Sequence, residues 1–290
     1  MKARTGLALL CFVACSDPVE VLPPTPQEPV ILVGAGDIAV CDRSGDSSTA
    51  VLIDSLGGYV FAAGDNLHDP ALGSTYEGCY GPTWGRFRDR TFPTIGNHDY
   101  DYAAGESYFD YFGERAGTRG KGYYSATLGA WHLVVLNSNA TLVPTAAGSE
   151  QETWLRADLS ANRARCTIAL WHHPRFYHGS FNRNGSVRPF WAALVAARAD
   201  VVVNGHFHLY ERYAPQDPDA TPLASGPRQF TVGTGGRTLD ALATPAPTLE
   251  FRQTEALGVL KLTLGDGWYE WQYVSVAHEV LDSGRAECVR

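Results

Sequence analysis

The sequence predicts an α/β protein of mixed α+β character, with two mixed sheets packed together and helices outside. Three observations predict it. Near the N-terminus an apolar run, a segment with helical spacing and a second apolar run follow in order, as in a parallel β-α-β unit. A second strand–helix–strand alternation spans Thr167 to Asn204. The C-terminal part instead holds apolar runs joined by a tight turn, the mark of an antiparallel hairpin. Alternation early and hairpins late favour two packed sheets.

Val30–Gly34 and Tyr59–Ala63 are short buried strands, the first leading into Gly36-Asp37 and the second into Gly64-Asp65. Between them Val51, Leu52 and Leu56 put apolar side chains at helical spacing over Ser47–Leu56. Phe92–Ile95 is a third strand, ending at Gly96. Tyr123–Leu128 and Trp131–Leu136 alternate about Gly129-Ala130 and form a hairpin. Ser149 and Glu152 have capping-box spacing and open a helix that carries Trp154, Leu155 and Leu159. Thr167–Trp171 and Asp200–Asn204 are strands on either side of a helix near Arg188–Ala199. Gln229–Val232, Leu257–Leu264 and Trp268–Val274 are late strands, the last two turning at Gly265-Asp266-Gly267. Gly113–Gly122 is rich in glycine and charge and reads as a surface loop.

At 290 residues with 44% hydrophobic content the chain can bury a sizeable core. Its formal net charge of −8 is a poor electrostatic match for nucleic acid, so no nucleic-acid partner is expected. An anionic substrate would need local positive charge, which metal ions supply.

Lys2 and Arg4 precede the apolar run Leu7–Ala14, which is too short for a permanent membrane span. Residues 1–14 therefore read as a signal peptide. Phe12-Val13-Ala14-Cys15 resembles a bacterial lipoprotein cleavage box with Cys15 as the lipidated residue, although Phe12 stands where Leu is usual. An ordinary secretory signal cut nearby is the alternative. Residues 15–29 carry five prolines and read as an extended tether. The expected location is the bacterial cell envelope, in the periplasm or at the cell surface, with membrane contact only through the lipid.

Five strings read as one metal site: Gly36-Asp37, Gly64-Asp65, Gly96-Asn97-His98-Asp99, Trp171-His172-His173-Pro174 and Gly205-His206-Phe207-His208. Each puts a hard oxygen or an imidazole just after a short apolar run, where strands present ligands from their carboxyl ends. Aspartate, asparagine and histidine together suit a pair of transition-metal ions. His206 and His208 are at i and i+2, so on extended backbone both face one side. Seven of the nine histidines lie in or beside these strings, which scattered surface histidines would not do.

These ordered strings resemble the calcineurin-like metallophosphoesterase superfamily, nearest its bacterial purple-acid-phosphatase-like branch. Phe230–Arg237 and Gly258–Leu262 also resemble that branch. The resemblance covers nearly all of the chain after about Val30 and implies a four-layer αββα sandwich, the metallo-dependent phosphatase fold, with residues 30–290 as a single catalytic domain. It implies that Asp37, Asp65 and His208 hold one metal, and Asp65, Asn97, His172 and His206 the other. Asp65 would bridge, and an attacking hydroxide would lie between the ions. It also implies that His172 rather than His173 is the ligand, with His173 in a packing or supporting role.

Two positions depart from the pattern. Many members have Asp-x-His at the first string, where this chain has Ala39. Purple acid phosphatases have Tyr three residues after the bridging aspartate, where this chain has His68. His68 is inferred as a substitute ligand, with a supporting or surface role as the alternative. An imidazole there suits two divalent ions, Zn, Mn or Fe, over ferric iron. Two such ions less two carboxylates leave a site of about +2, which matches a phosphate monoester dianion.

His98 is the candidate to stabilise phosphoryl oxygens or protonate the leaving group, with Asp99 expected to orient its imidazole. His178 is a candidate phosphate contact, and Arg175, Arg212 and Arg237 are weaker ones. Export implies an oxidising compartment, where Cys41, Cys79, Cys166 and Cys288 can form disulfides in three pairings. Cys41–Cys79 with Cys166–Cys288 is favoured, because Cys41 and Cys79 both follow metal-bearing strands. The expected function is an exported phosphomonoesterase acting on a small phosphorylated substrate. A phosphodiesterase or nucleotide-diphosphate hydrolase on the same site, and a non-catalytic metal-binding lipoprotein, are the alternatives.

Overall fold

A computed structural model describes Met1 and residues 27–68, 75–178, 183–241, 244 and 246–290. The expected signal peptide beyond Met1, the expected lipidation site Cys15 and nearly all of the expected tether fall outside the described residues. Among the described residues, no helix is long and apolar enough to cross a membrane.

Two mixed sheets make the body, as expected. In chain order the elements are β1 Val30–Ala35, α1 Gly45–Leu56, β2 Tyr59–Ala63, β3 Thr91–Thr94, α2 Glu106–Phe112, β4 Tyr124–Leu128 and β5 Trp131–Val135. Then come α3 Glu150–Ala161, β6 Cys166–Leu170, α4 Arg188–Ala196, β7 Val201–Asn204, β8 Tyr210–Tyr213 and β9 Arg228–Val232. The chain closes with β10 Leu249–Gln253, β11 Gly258–Gly265, β12 Trp268–Ser275 and β13 Val280–Glu287. One sheet has the order β13-β12-β11-β1-β2-β3 and the other β10-β8-β9-β7-β6-β5-β4. The first is parallel along β1-β2-β3 and antiparallel beyond β1. The second is parallel along β5-β6-β7-β9 and antiparallel at β4, β8 and β10.

The central parallel strands are apolar and buried on both faces, whereas β11 and β12 alternate, which is why the first read as continuous runs and the second as hairpins. A core of Leu32, Phe61, Ile168, Phe230, Leu262 and Trp271 joins the two sheets. A second core, with Trp171, Phe190, Trp191 and Leu155, lies under α3 and α4.

Four details differ from the sequence reading. In α1 the buried face is Thr49, Ala50, Leu52 and Ile53, while Val51 is 58% exposed. Residues at i, i+3 and i+4 share a helix face, and Val51 falls outside the set Thr49, Leu52, Ile53. Helix α4 ends at Ala196, because Arg198 turns into left-handed backbone at φ 56°. The short strands β8, β10 and β13 and the helix α2 were not anticipated, since charged residues interrupt their apolar patterns. At α3 the Ser149 hydroxyl accepts the Glu152 N–H, but the Glu152 carboxylate accepts the N–H of Gly148 rather than that of Ser149.

Among the described residues there are two disulfides, Cys41–Cys79 and Cys166–Cys288, with Cα separations of 5.1 and 5.6 Å. They match the favoured pairing.

Candidate metal centre

The ligand-bearing loops follow the carboxyl ends of β1, β2 and β3 in one sheet and of β6 and β7 in the other. The Gly36 N–H donates to the Val232 carbonyl at 2.8 Å, so the two sheets are laced together where the loops begin. Asp37, Asp65 and His206 all adopt left-handed backbone, with φ of 58°, 50° and 74°. Non-glycine residues rarely do so, and such strain concentrates at functional sites.

The glycines of the strings make room for ligands. A Cβ on Gly64, itself at φ 86°, would lie 2.5 Å from His172 Nδ1. A Cβ on Gly96 would lie 2.1 Å from Asp65 Oδ1. Glycine is therefore required at both positions for the carboxylate and imidazole to approach.

Each carboxylate commits one oxygen to the backbone and turns the other inward. Asp65 Oδ1 accepts the His98 N–H at 2.8 Å, and Asp37 Oδ2 accepts the His206 N–H at 2.8 Å. The remaining Asp65 Oδ2 lies 3.2 Å from His172 Nε2 and 3.6 Å from His68 Nε2. The remaining Asp37 Oδ1 is buried without a hydrogen-bond partner and faces His208 Nε2 at 3.3 Å. Asn97 Oδ1 lies 3.1 Å from both His172 Nε2 and His206 Nδ1.

This donor set fits cations. His172 Nδ1 faces the Ala63 carbonyl at 2.9 Å, which fixes its proton there. Nε2 of the neutral ring then points a lone pair at two oxygens. Such an arrangement is repulsive unless a proton or a metal ion lies between them. Ligand atoms of Asp37, His68 and His208 converge within 4.8 Å of one another, as do those of Asp37, Asp65 and His172. The oxygen and imidazole chemistry suits divalent transition metals.

The same groups also shift one another's ionisation. Burial works against a charge on His172, but the Asp65 carboxylate outweighs it and pushes the imidazole up to about 9. Burial opposes ionisation of Asp65 as well, yet His172 holds it well below the usual carboxylate range. His206 is pushed down to about 4 by burial and by His172. Burial lowers His208 too, but Asp37 raises it on balance.

Asp99 does not orient His98, contrary to the sequence reading. His98–Asp101 form a 3₁₀ turn, in which i and i+3 eclipse. His98 Nδ1 is therefore 2.8 Å from Asp101 Oδ2, while Asp99 is fully buried below. The Asp99 carboxylate accepts from Asn66 N and Nδ2, Leu67 N, Gly96 N and the Tyr76 hydroxyl. It clasps the Asp65 loop to the Asn97 loop. Chiefly through burial, it is pushed up to about 6.

The other expected residues are distributed unevenly. His68 lies in the cluster, its ring 3.9 Å from that of His98. His173 bonds Ser138 Oγ through Nδ1 at 2.9 Å, and burial pushes it down to about 2, which keeps it neutral. His178 packs edge-on against Phe207 with Nδ1 3.7 Å from Glu211 Oε1, outside the ligand clusters. Arg175 is buried on the carbonyls of Asn184 and Pro218, and Arg212 is paired with Asp282 and Glu250. Neither is among the converging groups. Arg237 lies closer: its N–H donates to the Asp37 carbonyl and its charge acts on His208. Sequence reasoning missed Asp240, which accepts the His208 N–H at 2.8 Å and lies 3.5 Å from His208 Nδ1. It also missed Asp101, although its spacing of three from His98 was a usable signal.

Residues 19–210 match the family described as calcineurin-like phosphoesterase, and the chain belongs to that family. Its relatives include purple acid phosphatases. Purple acid phosphatase 1 of Ipomoea batatas is 26% identical over 245 residues, covering 73% of this chain and 51% of that protein. Purple acid phosphatase 22 of Arabidopsis thaliana is 33% identical over 157 residues, covering 50% and 35%. The fold resembles that of a purple acid phosphatase from yellow lupin (Lupinus luteus) seeds, with TM-score 0.73, 19% identity and coverage of 90% and 54%. The chain thus spans only about half, or less, of the length of these relatives.

Proposed function

We propose that this chain is an exported phosphomonoesterase that depends on two divalent metal ions and is tethered through a lipidated Cys15. The observation that carries the reading is the convergence of Asp37 Oδ1, Asp65 Oδ2 and Asn97 Oδ1 on imidazole nitrogens 3.1–3.6 Å away, all in one buried cluster. Asp37, Asp65, His68 and His208 would hold one ion, and Asp65, Asn97, His172 and His206 the other. When bound, such ions supply the charge that receives a phosphate dianion and lower the pKa of a water nucleophile.

The chain's own groups complete the chemistry. His98 stands at the mouth, about a third exposed, with Nδ1 engaged by Asp101. Its Nε2 is left to carry a proton to the leaving oxygen. Arg237 adds a cation at the rim, and Asp240 fixes the orientation of His208. The net charge of about +2 favours a monoester dianion over a diester monoanion. Export is supported by the charged and apolar N-terminus and by two disulfides outside any thiolate metal motif.

A screen of mono- and diester substrates on protein loaded separately with Zn, Mn and Fe tests the reading. Monoester turnover that disappears in Asp65→Asn is the expected result. Tight metal binding with no turnover on any ester would overturn it in favour of a non-catalytic metal protein, and a diester preference would overturn the monoester assignment.

A further inference from the structure

The chain enters the folded body at the opposite end of the molecule from the candidate metal centre. Asp37 follows the carboxyl end of β1, while residues 1–29 feed into its amino end at Val30. Six residues of extended chain separate those ends by about 20 Å.

A chain of contacts defines what surrounds the entry point. Val30 abuts Gly129 and pairs with Leu264, next to the β11–β12 turn. That turn receives the Trp131 indole N–H at Gly265, the Cys288 N–H at Gly267, and the Arg165 guanidinium over Gly267. Cys288 is bonded to Cys166, and Arg290 donates to the carbonyls of Ala164 and Ala197. The amino ends of β1, β6 and β7 and the C-terminal ends of α3 and α4 therefore share one pole.

At this pole lies a cavity of about 550 Å³ between α3 and α4. Arg156, Arg163, Arg198 and Arg290 line it over a floor of Leu159 and Ala193. Arg156 is neutralised by Glu152, and nearby Arg165 lies 4.0 Å from Asp266. Arg290 is held by backbone carbonyls. Arg163 and Arg198 are exposed and pair with no acid among the described residues, on a chain whose net charge is −8.

We propose that this arginine-lined pole rests on anionic phospholipid headgroups, with the metal centre held on the far side facing solution. Two features favour a lipid surface over an acidic protein. The segment expected to carry the anchor enters at this pole, so the pole is the part of the domain that joins the tether and lies nearest the anchor. The guanidinium groups also surround an apolar floor, which matches the polar–apolar boundary of an interface. The inference rests on the tethered reading of the N-terminus, which binding to neutral vesicles tests separately.

The test uses the full chain and vesicles of phosphatidylcholine, with or without phosphatidylglycerol. Arg163→Gln with Arg198→Asn removes both unpaired charges, and Asn tolerates the left-handed backbone at position 198. Each arginine near an anionic surface is worth roughly five-fold in partitioning. The wild type should prefer anionic vesicles, and the double variant should lose roughly 25-fold of that preference. Binding to neutral vesicles and metal-loaded phosphatase activity should stay unchanged. An equal anionic preference in both proteins, or none in the wild type, would overturn the proposal. So would tighter capture of a polyglutamate peptide than of anionic vesicles, which would assign the pole to an acidic protein.

Discussion

The Tyr76 hydroxyl donates to Asp99 Oδ1 at 2.6 Å, at the base of the candidate metal centre. Tyr76 lies in the turn that carries Cys79, whose partner Cys41 follows the Asp37 loop. Through this bond and the disulfide, the three loops that bear Asp37, Asp65 and Asn97 are fastened to a common support. Tyr76→Phe should cost about 1.5–3 kcal/mol of stability, as a buried hydrogen bond to a charged group does. Metal-saturated kcat should change little. Denaturant unfolding beside steady-state kinetics checks this, and a large kcat loss at unchanged stability would contradict it.

His98→Ala should lower kcat by about 10²–10⁴-fold while metal content holds. The loss should shrink for esters with good leaving groups if His98 donates the proton. Asp101→Asn should do far less, because exposed pairs contribute little and both side chains are over a third exposed. An equal loss with every leaving group would assign His98 to phosphate binding alone.

Asp65→Asn should abolish turnover. The change removes the charge of Oδ2, the one oxygen turned toward both His68 and His172. Metal analysis of the purified variant should show reduced occupancy, and full occupancy with near-normal rate would refute the bridging assignment.

His68 should make the protein colourless and best suited to divalent ions, since a neutral imidazole offers no charge to stabilise ferric iron. His68→Tyr should move metal preference toward iron and introduce a visible absorption band. A wild-type protein that is purple as isolated would end this account of His68.

Asp200 gives a pH dependence remote from the metals. Burial pushes it up to about 6, although its carboxylate accepts the N–H groups of Thr167 and Val289. An acid with a native pKa above its unfolded value of about 3.9 keeps a proton that the unfolded chain has lost. Stability from this group is therefore highest below about pH 4, falls as pH rises to about 6, and is flat above. The drop should be about 2–3 kcal/mol and should vanish from the pH profile of Asp200→Asn. Chemical denaturation across that range provides the measurement. A variant profile parallel to the wild type would sink the claim.

The metal strings were legible because each requires a particular residue at a particular step: glycine for close approach, then a side chain of fixed chemistry. The parallel strands were legible because burial on both faces demands unbroken apolar runs. The supporting groups were not. Asp99 and Asp101 both follow His98, at offsets of one and three, and only the 3₁₀ turn decides between them. Asp240 is 32 residues from His208, and nothing local announces that its loop returns. Val51 was misplaced because the phase of a short helix depends on where it docks.

Left-handed backbone at Asp37, Asp65 and His206 carries a further consequence. Each such residue costs on the order of 1–2 kcal/mol, which the surrounding glycine turns and inter-loop hydrogen bonds must offset. If these side chains hold ions, as proposed, the conformational work of aiming them would be done by folding itself. Loading should consequently resemble ion exchange on a finished surface, limited by how fast a hydrated cation sheds its water. Depletion by a chelator should be reversible without a refolding step.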